Sequence, residues 1–550
     1  MLSHAALPRS SQFGLPALRP EWITLGAVLF LLVFCNVPFW GRLLAVQPPN
    51  ASNMLGLVAV FTFLLAALNL LLTLLAWPFV LRPVLTVLLI ATSFVAYFMN
   101  QYGVMIDVGM LRNALETDVA ETRDLLTLKM AGYVLLLGAL PVWLLWRVPI
   151  RWRPARREVL RKSAVIAVSL AVLAMVAFAY FQTFASVARN HRELRFLLTP
   201  VNYLQATSSY FKRLNTKPAT LEKIGTDARL GAAWAQRTRK SLTVIVVGET
   251  ARADHFSLNG YARETNPALA KQPGLINMSN AWSCGTETAV SVPCMFSGLG
   301  RDNFSREKTQ YRESLLDVLQ RAGLAVQWRD NQSGCKGVCD RVPNENLKDS
   351  KAADLCSGEE CFDEVLLSGL PEKLDKLDRD TVLVLHMMGS HGPAYYKRHP
   401  DRFEVFLPTC KTSQLDRCSQ QEIVNSFDNT LRYTDFVLAK LVGILREHAD
   451  TVDSAMIYMS DHGESLGEHN LYLHGTPYMI APDTQKHVPM LMWFSEGYQR
   501  DFGVDTACLA QNQTKPVSHD NLFHSTLGLL DVATTQYDAK QDLFKTCRRS

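Results

Sequence analysis

The chain has 550 residues, too many for one ordinary compact domain, and carries a formal net charge of only +5 from 56 Lys and Arg against 51 Asp and Glu. So small a surplus argues against a dedicated nucleic-acid binder, which concentrates a large basic excess on one face. Composition also divides the chain: up to residue 185 Leu, Val, Ala and Phe runs dominate, and beyond it charged residues, Gly, Pro, His and nearly all the cysteines appear.

Five apolar runs, at residues 23–40, 54–80, 84–102, 130–146 and 164–181, approach or exceed the ~20 residues needed to cross a bilayer as helices. As core helices of a soluble protein they would leave no polar face toward water. The first follows a polar leader and precedes four more spans, so it reads as an anchor and not as a removable signal. Arg147, Arg151, Arg153, Arg156, Arg157, Arg161 and Lys162 form a basic loop between spans four and five that predicts a cytoplasmic position, shared by the N-terminus with Arg9 and Arg19. The segment after span three, with Asp107, Glu116, Asp118, Glu121 and Asp124 against Arg112 and Arg123, suits the outer side. Five crossings then place everything after Phe181 outside.

The cysteines agree. Of eleven, Cys35 is alone in the first span, and the other ten pair by proximity as Cys284 with Cys294, Cys335 with Cys339, Cys356 with Cys361, Cys410 with Cys418, and Cys508 with Cys547. An even set in an oxidising compartment reads as disulfides that pin loops. Thiolate zinc sites would need pairs coming together in fours, and only Cys335 to Cys339 has a spacing near a metal knuckle.

Residues 186–212 read as a mostly helical connector broken by Pro200, either a membrane-surface segment or a plain linker helix. From Leu242 onward, short β-rich runs at 242–247, 381–385, 455–459 and 488–494 alternate with helical stretches such as 315–322 and 423–445. This predicts an α/β domain with a largely parallel central sheet, which places ligands beyond the carboxyl ends of its strands. Gly248, Glu249 and Thr250 follow the first run. His386, Gly389, Ser390, His391 and Gly392 follow the second, and Ser460, Asp461, His462, Gly463 and Glu464 the third. A lone Glu or His is commonly a cap or a satisfied polar group, but three strand ends carrying carboxylate or imidazole point to a site. His386, closing an apolar run, is expected to be buried and hydrogen-bonded rather than catalytic.

Oxygen and nitrogen donors of this kind suit zinc or manganese with one position open. Such an ion lowers the pKa of a bound hydroxyl and neutralises charge on phosphoryl oxygens, so the chemistry asks for a nearby Ser or Thr. Residues 284–294, CGTETAVSVPC, supply a hydroxyl-dense loop before a helix start whose amides suit a phosphate. Thr286, Thr288 and Ser291 all remain open on chemistry alone.

VGETARADHFSLNGY, SCGTETAVSVPCMFSGLG, HMMGSHGPAYYKRHP and SDHGESLGEHNLYLHGTP, with YGVMIDVGMLRNALETDVAE in the membrane half, resemble the lipid A phosphoethanolamine transferases, the group that includes the mobile colistin-resistance enzymes. The resemblance covers nearly the whole chain. It implies a five-helix transmembrane domain at 1–185, bridging helices at 186–240 and a periplasmic alkaline-phosphatase-like (sulfatase-like) domain at 241–550. It further implies zinc held by Glu249, Thr288, Asp461 and His462, with Thr288 the nucleophile. Lys336, His391 and His474 match positions associated with substrate or with a second, weaker zinc, and Ser333 and Gln332 fall in the same substrate region. Gln332 stands where relatives can have Asn; Glu287 and His469 are further departures, the latter an extra ligand or a solvated loop side chain.

The reaction so implied is transfer of phosphoethanolamine from phosphatidylethanolamine, through a Thr ester, to a phosphate of lipid A, with resistance to polymyxin-type peptides following from the lost surface charge. The expected setting is a Gram-negative-type inner membrane and a monomer working on lipopolysaccharide lipids. Transfer to another core or glycan acceptor, or a different sulfatase-like transferase or hydrolase, is the alternative. An inactive sensor would have lost metal ligands, and none of those expected is missing.

Overall fold

A computed structural model describes residues 16–549, leaving out 52, 117–122, 124, 182, 185–186, 188–190, 192, 215–219, 236, 348–349, 351, 353 and 358–359. Of the residues invoked for topology, Arg9, Asp118, Glu121 and Asp124 lie outside the described ones. The chain divides into two compact units, the first taking in the helix at Val201–Leu214 and the second the chain from residue 216 onward.

In the first unit, α1 (Pro20–Phe34) and α2 (Val37–Val46) meet at 61°. The span expected at 23–40 is therefore broken. Pro38 withholds an amide in the first turn of α2, and the Asn36 side chain turns to backbone: its amide donates to the Leu31 and Thr199 carbonyls at 2.9 and 2.8 Å. The second span, α3 (Met54–Leu75), stops short of residue 80 because Pro78 disfavours helix at the residue before it. The third, α4 (Leu81–Tyr102), closes on Gly103 at φ 68°, the left-handed cap that glycine adopts freely. The fourth, α5 (Leu128–Arg147), carries a π-helical stretch at Val134–Ala139.

The fifth, α6 (Ala155–Ala179), starts nine residues ahead of the expected 164. Arg156, Arg157, Arg161 and Lys162 are thus on its first turns and not in a loop. Ion pairs make this possible: Arg153 bonds both Glu21 and Glu158, and the Lys162 ammonium lies 3.4 Å from the Trp77 ring centre. Leu71, Val168, Met175 and Phe178 remain exposed, as a lipid-facing surface requires. After Pro200 the chain enters α7 (Val201–Leu214), the break expected there.

The second unit is built on an eight-stranded sheet. Its strands are β1 (Lys240–Gly248), β2 (Ile276–Trp282), β3 (Ala325–Asp330), β4 (Asn344–Asn346), β5 (Thr381–His386), β6 (Val452–Ser460), β7 (His487–Phe494) and β8 (Val517–Ser518), in spatial order β8-β2-β7-β6-β1-β5-β3-β4. Only β7 runs against its neighbours. Both faces are covered, so β1 is buried from Ser241 onward and reads as a continuous apolar run. Ile245 and Val247 face a cluster with Phe296, Trp328 and Leu522, while Leu242, Val244 and Val246 face one with Phe427, Leu431 and Leu438 of α11 (Gln420–Glu447). Helices α8 (Thr288–Met295), α9 (Leu315–Arg321), α10 (Leu370–Asp375) and, beyond α11, α12 (His519–Leu529) complete the frame used below. All five expected cysteine pairs are disulfides, and Cys35 is a buried free thiol.

Register builds the site. Val247 pairs with Met459 on one side and His386 on the other, and His386 pairs with Asp330. The carboxyl ends of four parallel strands therefore finish on one row, and the next residues, Glu249 and Asp461 among them, leave the sheet side by side.

Candidate active site

Glu249, Asp461 and His462 converge, with donor atoms within 4.8 Å of one another, and each is at most 1% exposed. His462 Nε2 lies 3.3 Å from Glu249 and 3.4 Å from Asp461. Its Nδ1–H donates to the Gly463 carbonyl at 2.8 Å, which orients the ring with Nε2 toward the carboxylates. Burial opposes ionisation of Glu249, yet the hydrogen bond and charge of His462 hold its carboxyl below the ordinary range. Asp461 moves the other way, raised by burial and by the Glu249 charge. Two buried carboxylates beside one imidazole form a donor set that fits a divalent cation.

The backbone that presents them is constrained. Thr250 sits at φ 60°, unusual for a β-branched residue, with its amide donating to Asp461 at 3.2 Å and its hydroxyl to Glu249 at 2.6 Å. Opposite it Gly389, at φ 53°, packs so close that a Cβ would stand 2.5 Å from the Glu249 carbonyl oxygen.

Of the three candidate hydroxyls, the geometry separates one. Thr288 Oγ lies 3.2 Å from Glu249 Oε2 and 3.4 Å from His462 Nε2, at the first position of α8. The Thr286 hydroxyl instead donates to the Thr476 carbonyl at 2.7 Å, and Ser291 bonds the Glu287 carbonyl and Asp461 Oδ2, both at 3.0 Å. Glu287, buried, supplies the one carbonyl that accepts the Val290 and Ser291 amides and closes the first turn of α8. The Cys284–Cys294 disulfide spans this loop and helix.

The remaining expected residues form the rim. Gln332 reaches further in than expected: its Nε2 donates to Glu249 Oε2 at 2.8 Å. Lys336, at φ 53°, turns its ammonium to the Ser333 carbonyl and hydroxyl at 3.1 and 2.7 Å. Asp330 fastens this loop by accepting the Gln332 and Gly334 amides and the His386 imidazole. His386 is fully buried, as expected, and hydrogen-bonded to Asp330 at 2.9 Å. The His474 ring centre is 4.3 Å from that of His462 and 5.6 Å from that of His391. His474 donates to Glu464 at 2.8 Å, and Glu464 accepts from Tyr395 at 2.7 Å. His462, Glu464 and His474 form a second candidate donor group; burial presses the His391 imidazole down to about 3. His469 is exposed at the tip of the turn between Ser465–Leu466 and Tyr472–Leu473, and joins no donor group among the described residues.

Sequence reasoning missed the partners that act through other residues: Asp330, Tyr395, and His519, which joins the Cys284 amide to the Ser460 carbonyl. Only the Ser518 capping box, whose reciprocal bonds involve Asn521, left a local signal near the last of these.

Two family models match the chain, one described as "Phosphoethanolamine transferase EptA/EptB" over residues 64–214 and one as "Sulfatase" over 241–532. The chain is 42% identical over 531 residues to the phosphoethanolamine transferase EptA of Escherichia coli (strain K12), covering 96% of this chain and 97% of that one. It is 36% identical over 528 residues to the phosphatidylethanolamine transferase Mcr-1 of Escherichia coli, covering 94% and 96%. Among solved structures, the integral membrane lipooligosaccharide phosphoethanolamine transferase A of Neisseria meningitidis superimposes with a TM-score of 0.93 at 34% identity, covering 97% of this chain and 100% of that one.

Proposed function

The chain belongs to the phosphoethanolamine transferase family that includes EptA and Mcr-1 and carries a sulfatase-type domain, and on that premise we propose that it moves phosphoethanolamine from phosphatidylethanolamine to a phosphate of lipid A with Thr288 as nucleophile. One observation carries the reading: a single hydroxyl, Thr288 Oγ, stands within 3.4 Å of both Glu249 and His462 at a buried donor cluster.

Glu249, Asp461, His462 and Thr288 would hold a zinc ion, which when bound supplies Lewis acidity at the hydroxyl and at the phosphoryl oxygens. Thr288 Oγ attacks phosphorus, the bond to the glycerol oxygen breaks, and diacylglycerol leaves with a proton. The ester on Thr288 is then attacked at phosphorus by a phosphate oxygen of the acceptor, and Thr288 is released. Glu249 accepts the Thr288 hydrogen bond and fixes the oxygen for attack. Lys336, His391 and His474 bind the transferring phosphate, with Lys336 or His474 protonating the departing oxygen, and a second, weaker zinc would lie near His391 and His474. Gln332 holds Glu249 in place through its amide, and Ser333 seats Lys336.

Five disulfides in the second unit suit an oxidising compartment, which supports a periplasmic catalytic unit on an inner-membrane anchor with its N-terminus inside. Both substrates are lipids, and tethering to the bilayer raises their effective concentration at the site. Masking lipid A phosphate with an amine lowers the attraction for polycationic peptides, so polymyxin resistance is the expected phenotype. Mass spectrometry of lipid A from cells expressing the parent protein or Thr288→Ala tests the reading. A phosphoethanolamine increment with the parent alone supports it. Unchanged lipid A, with the increment on another glycan or nowhere, overturns the acceptor or the activity.

A further inference from the structure

The nucleophile loop is tied on many sides. The Ser283 amide donates to the Lys486 carbonyl at 2.7 Å, Arg301 donates to the Cys284 carbonyl at 2.8 Å, and the Gly475 amide donates to the Thr286 carbonyl at 2.7 Å. Two side-chain-mediated ties join residues 283–284, at the start of the loop, to the backbone at the end of the strand that carries the carboxylate. One is Ser283, whose hydroxyl bonds the Asp461 carbonyl at 2.5 Å. The other is His519.

His519 is fully buried at the first position of α12, immediately after β8, and β8 runs beside the last residues of β2. Its Nε2 lies 2.9 Å from the Ser460 carbonyl, which can only accept, so Nε2 carries the proton. Its Nδ1 lies 3.2 Å from the Cys284 amide, which can only donate, so Nδ1 offers its lone pair. One neutral tautomer satisfies both bonds at once, and the other satisfies neither. Burial keeps the ring in that form by pressing its pKa down to about 4. The ring therefore measures off a fixed spacing between Ser460, which precedes Asp461, and Cys284, four residues before Thr288.

We propose that His519 is a positioning residue for the transfer reaction, a neutral imidazole gauge that sets the distance between the nucleophile loop and the strand end bearing Asp461 and His462. This rests on the proposed role of Thr288. Its removal leaves a buried amide and a buried carbonyl without partners and frees the loop to shift, which at a reacting centre lowers turnover by ~10- to 100-fold for displacements near ~1 Å.

The test uses the full-length protein in detergent with a fluorescent phosphatidylethanolamine donor. His519→Phe keeps the ring shape and removes both bonds; His519→Asn leaves Oδ1 where Nδ1 stood and retains an acceptor for the Cys284 amide. The expected result is a kcat ~10- to 100-fold lower for His519→Phe, a donor KM within ~3-fold of the parent, and partial recovery of kcat in His519→Asn. Amide hydrogen exchange across residues 283–290 should quicken in the same order. Parent-like kcat or unchanged exchange in His519→Phe would overturn the proposal, as would a KM rise equal to the kcat loss. If His519→Phe does not fold, His519→Asn decides alone: intermediate kcat and exchange support the gauge, and parent values of both refute it. A parent protein that transfers nothing would strike the proposed function, while the exchange readout would still report on His519.

Discussion

The sheet edge and the rim of the site are built differently. Glu249, Asp461, His462 and Thr288 are buried, and their backbone comes from strand ends in register or from a loop closed by a disulfide. Lys336, Ser333 and His474 are only partly buried and ride on loops, with the Lys336 ammonium bonded to Ser333 three residues before it. The difference teaches where the molecule spends its order. Groups proposed to act at phosphorus are over-determined by hydrogen bonds, while those proposed to meet a lipid headgroup keep freedom to adjust. Losses at the edge should therefore fall on kcat, and losses at the rim on KM.

The largest effect should come from Thr288→Ala. It removes the attacking oxygen itself and should lower transfer by ~1,000-fold or more in a steady-state assay with labelled donor, while the circular dichroism spectrum stays that of the parent. Residual turnover within ~10-fold of the parent would move the nucleophile elsewhere and erase the contrast between edge and rim.

Gln332 tests where the edge stops. Gln332→Ala cuts the bond to Glu249 and should reduce kcat or zinc content by ~10-fold or more, read by assay and by elemental analysis of the purified protein. Gln332→Asn should recover part of this. An effect confined to KM would return Gln332 to the rim. Lys336→Ala, a true rim change, should raise donor KM by ~10-fold with kcat less affected.

The Asp330–His386 pair joins the two regions, and its pH dependence is specific. Against the cost of burial, His386 holds the Asp330 carboxyl down to about 2, from 3.8 when unperturbed. Its stabilising contribution is thus complete above 3.8 and is lost as pH falls toward 2. Burial lowers the His386 pKa, but Asp330 outweighs it and the net shift is upward from 6.5. That contribution is complete below 6.5 and fades as pH rises through the folded value. Asp330→Asn should therefore cost most stability, about 3 kcal/mol, between these limits, and the gap in Tm from the parent should narrow on both sides. A gap that does not vary with pH would contradict the assignment. The smallest effect belongs to His469→Ala, which should change kcat/KM by less than ~2-fold because the side chain is solvated.

Much of the edge was legible from sequence because β1, β5 and β6 are buried on both faces and so appear as unbroken apolar runs with polar residues at their carboxyl ends. The outlying strands were not. β2 and β3 alternate buried and partly exposed residues, with Asn, Ser, Gln and Arg interleaved, and β4 and β8 are three and two residues long. The reversed direction of β7 left no mark on its composition. Gln332 and His519 were hidden for another reason: their roles exist only once Asp330 pairs with His386 and β8 docks beside β2. In the membrane unit the apolar runs were visible, but the bend between α1 and α2 depended on Asn36 meeting Thr199, far away in sequence.

The most direct measurement is peptide mass spectrometry of the purified full-length protein after incubation with phosphatidylethanolamine and no acceptor. The account predicts a phosphoethanolamine ester on Thr288, in the peptide bearing the Cys284–Cys294 loop, that disappears when lipid A is added. An ester on Thr286, Ser291 or any other residue, or none on a protein that still transfers phosphoethanolamine, would contradict it.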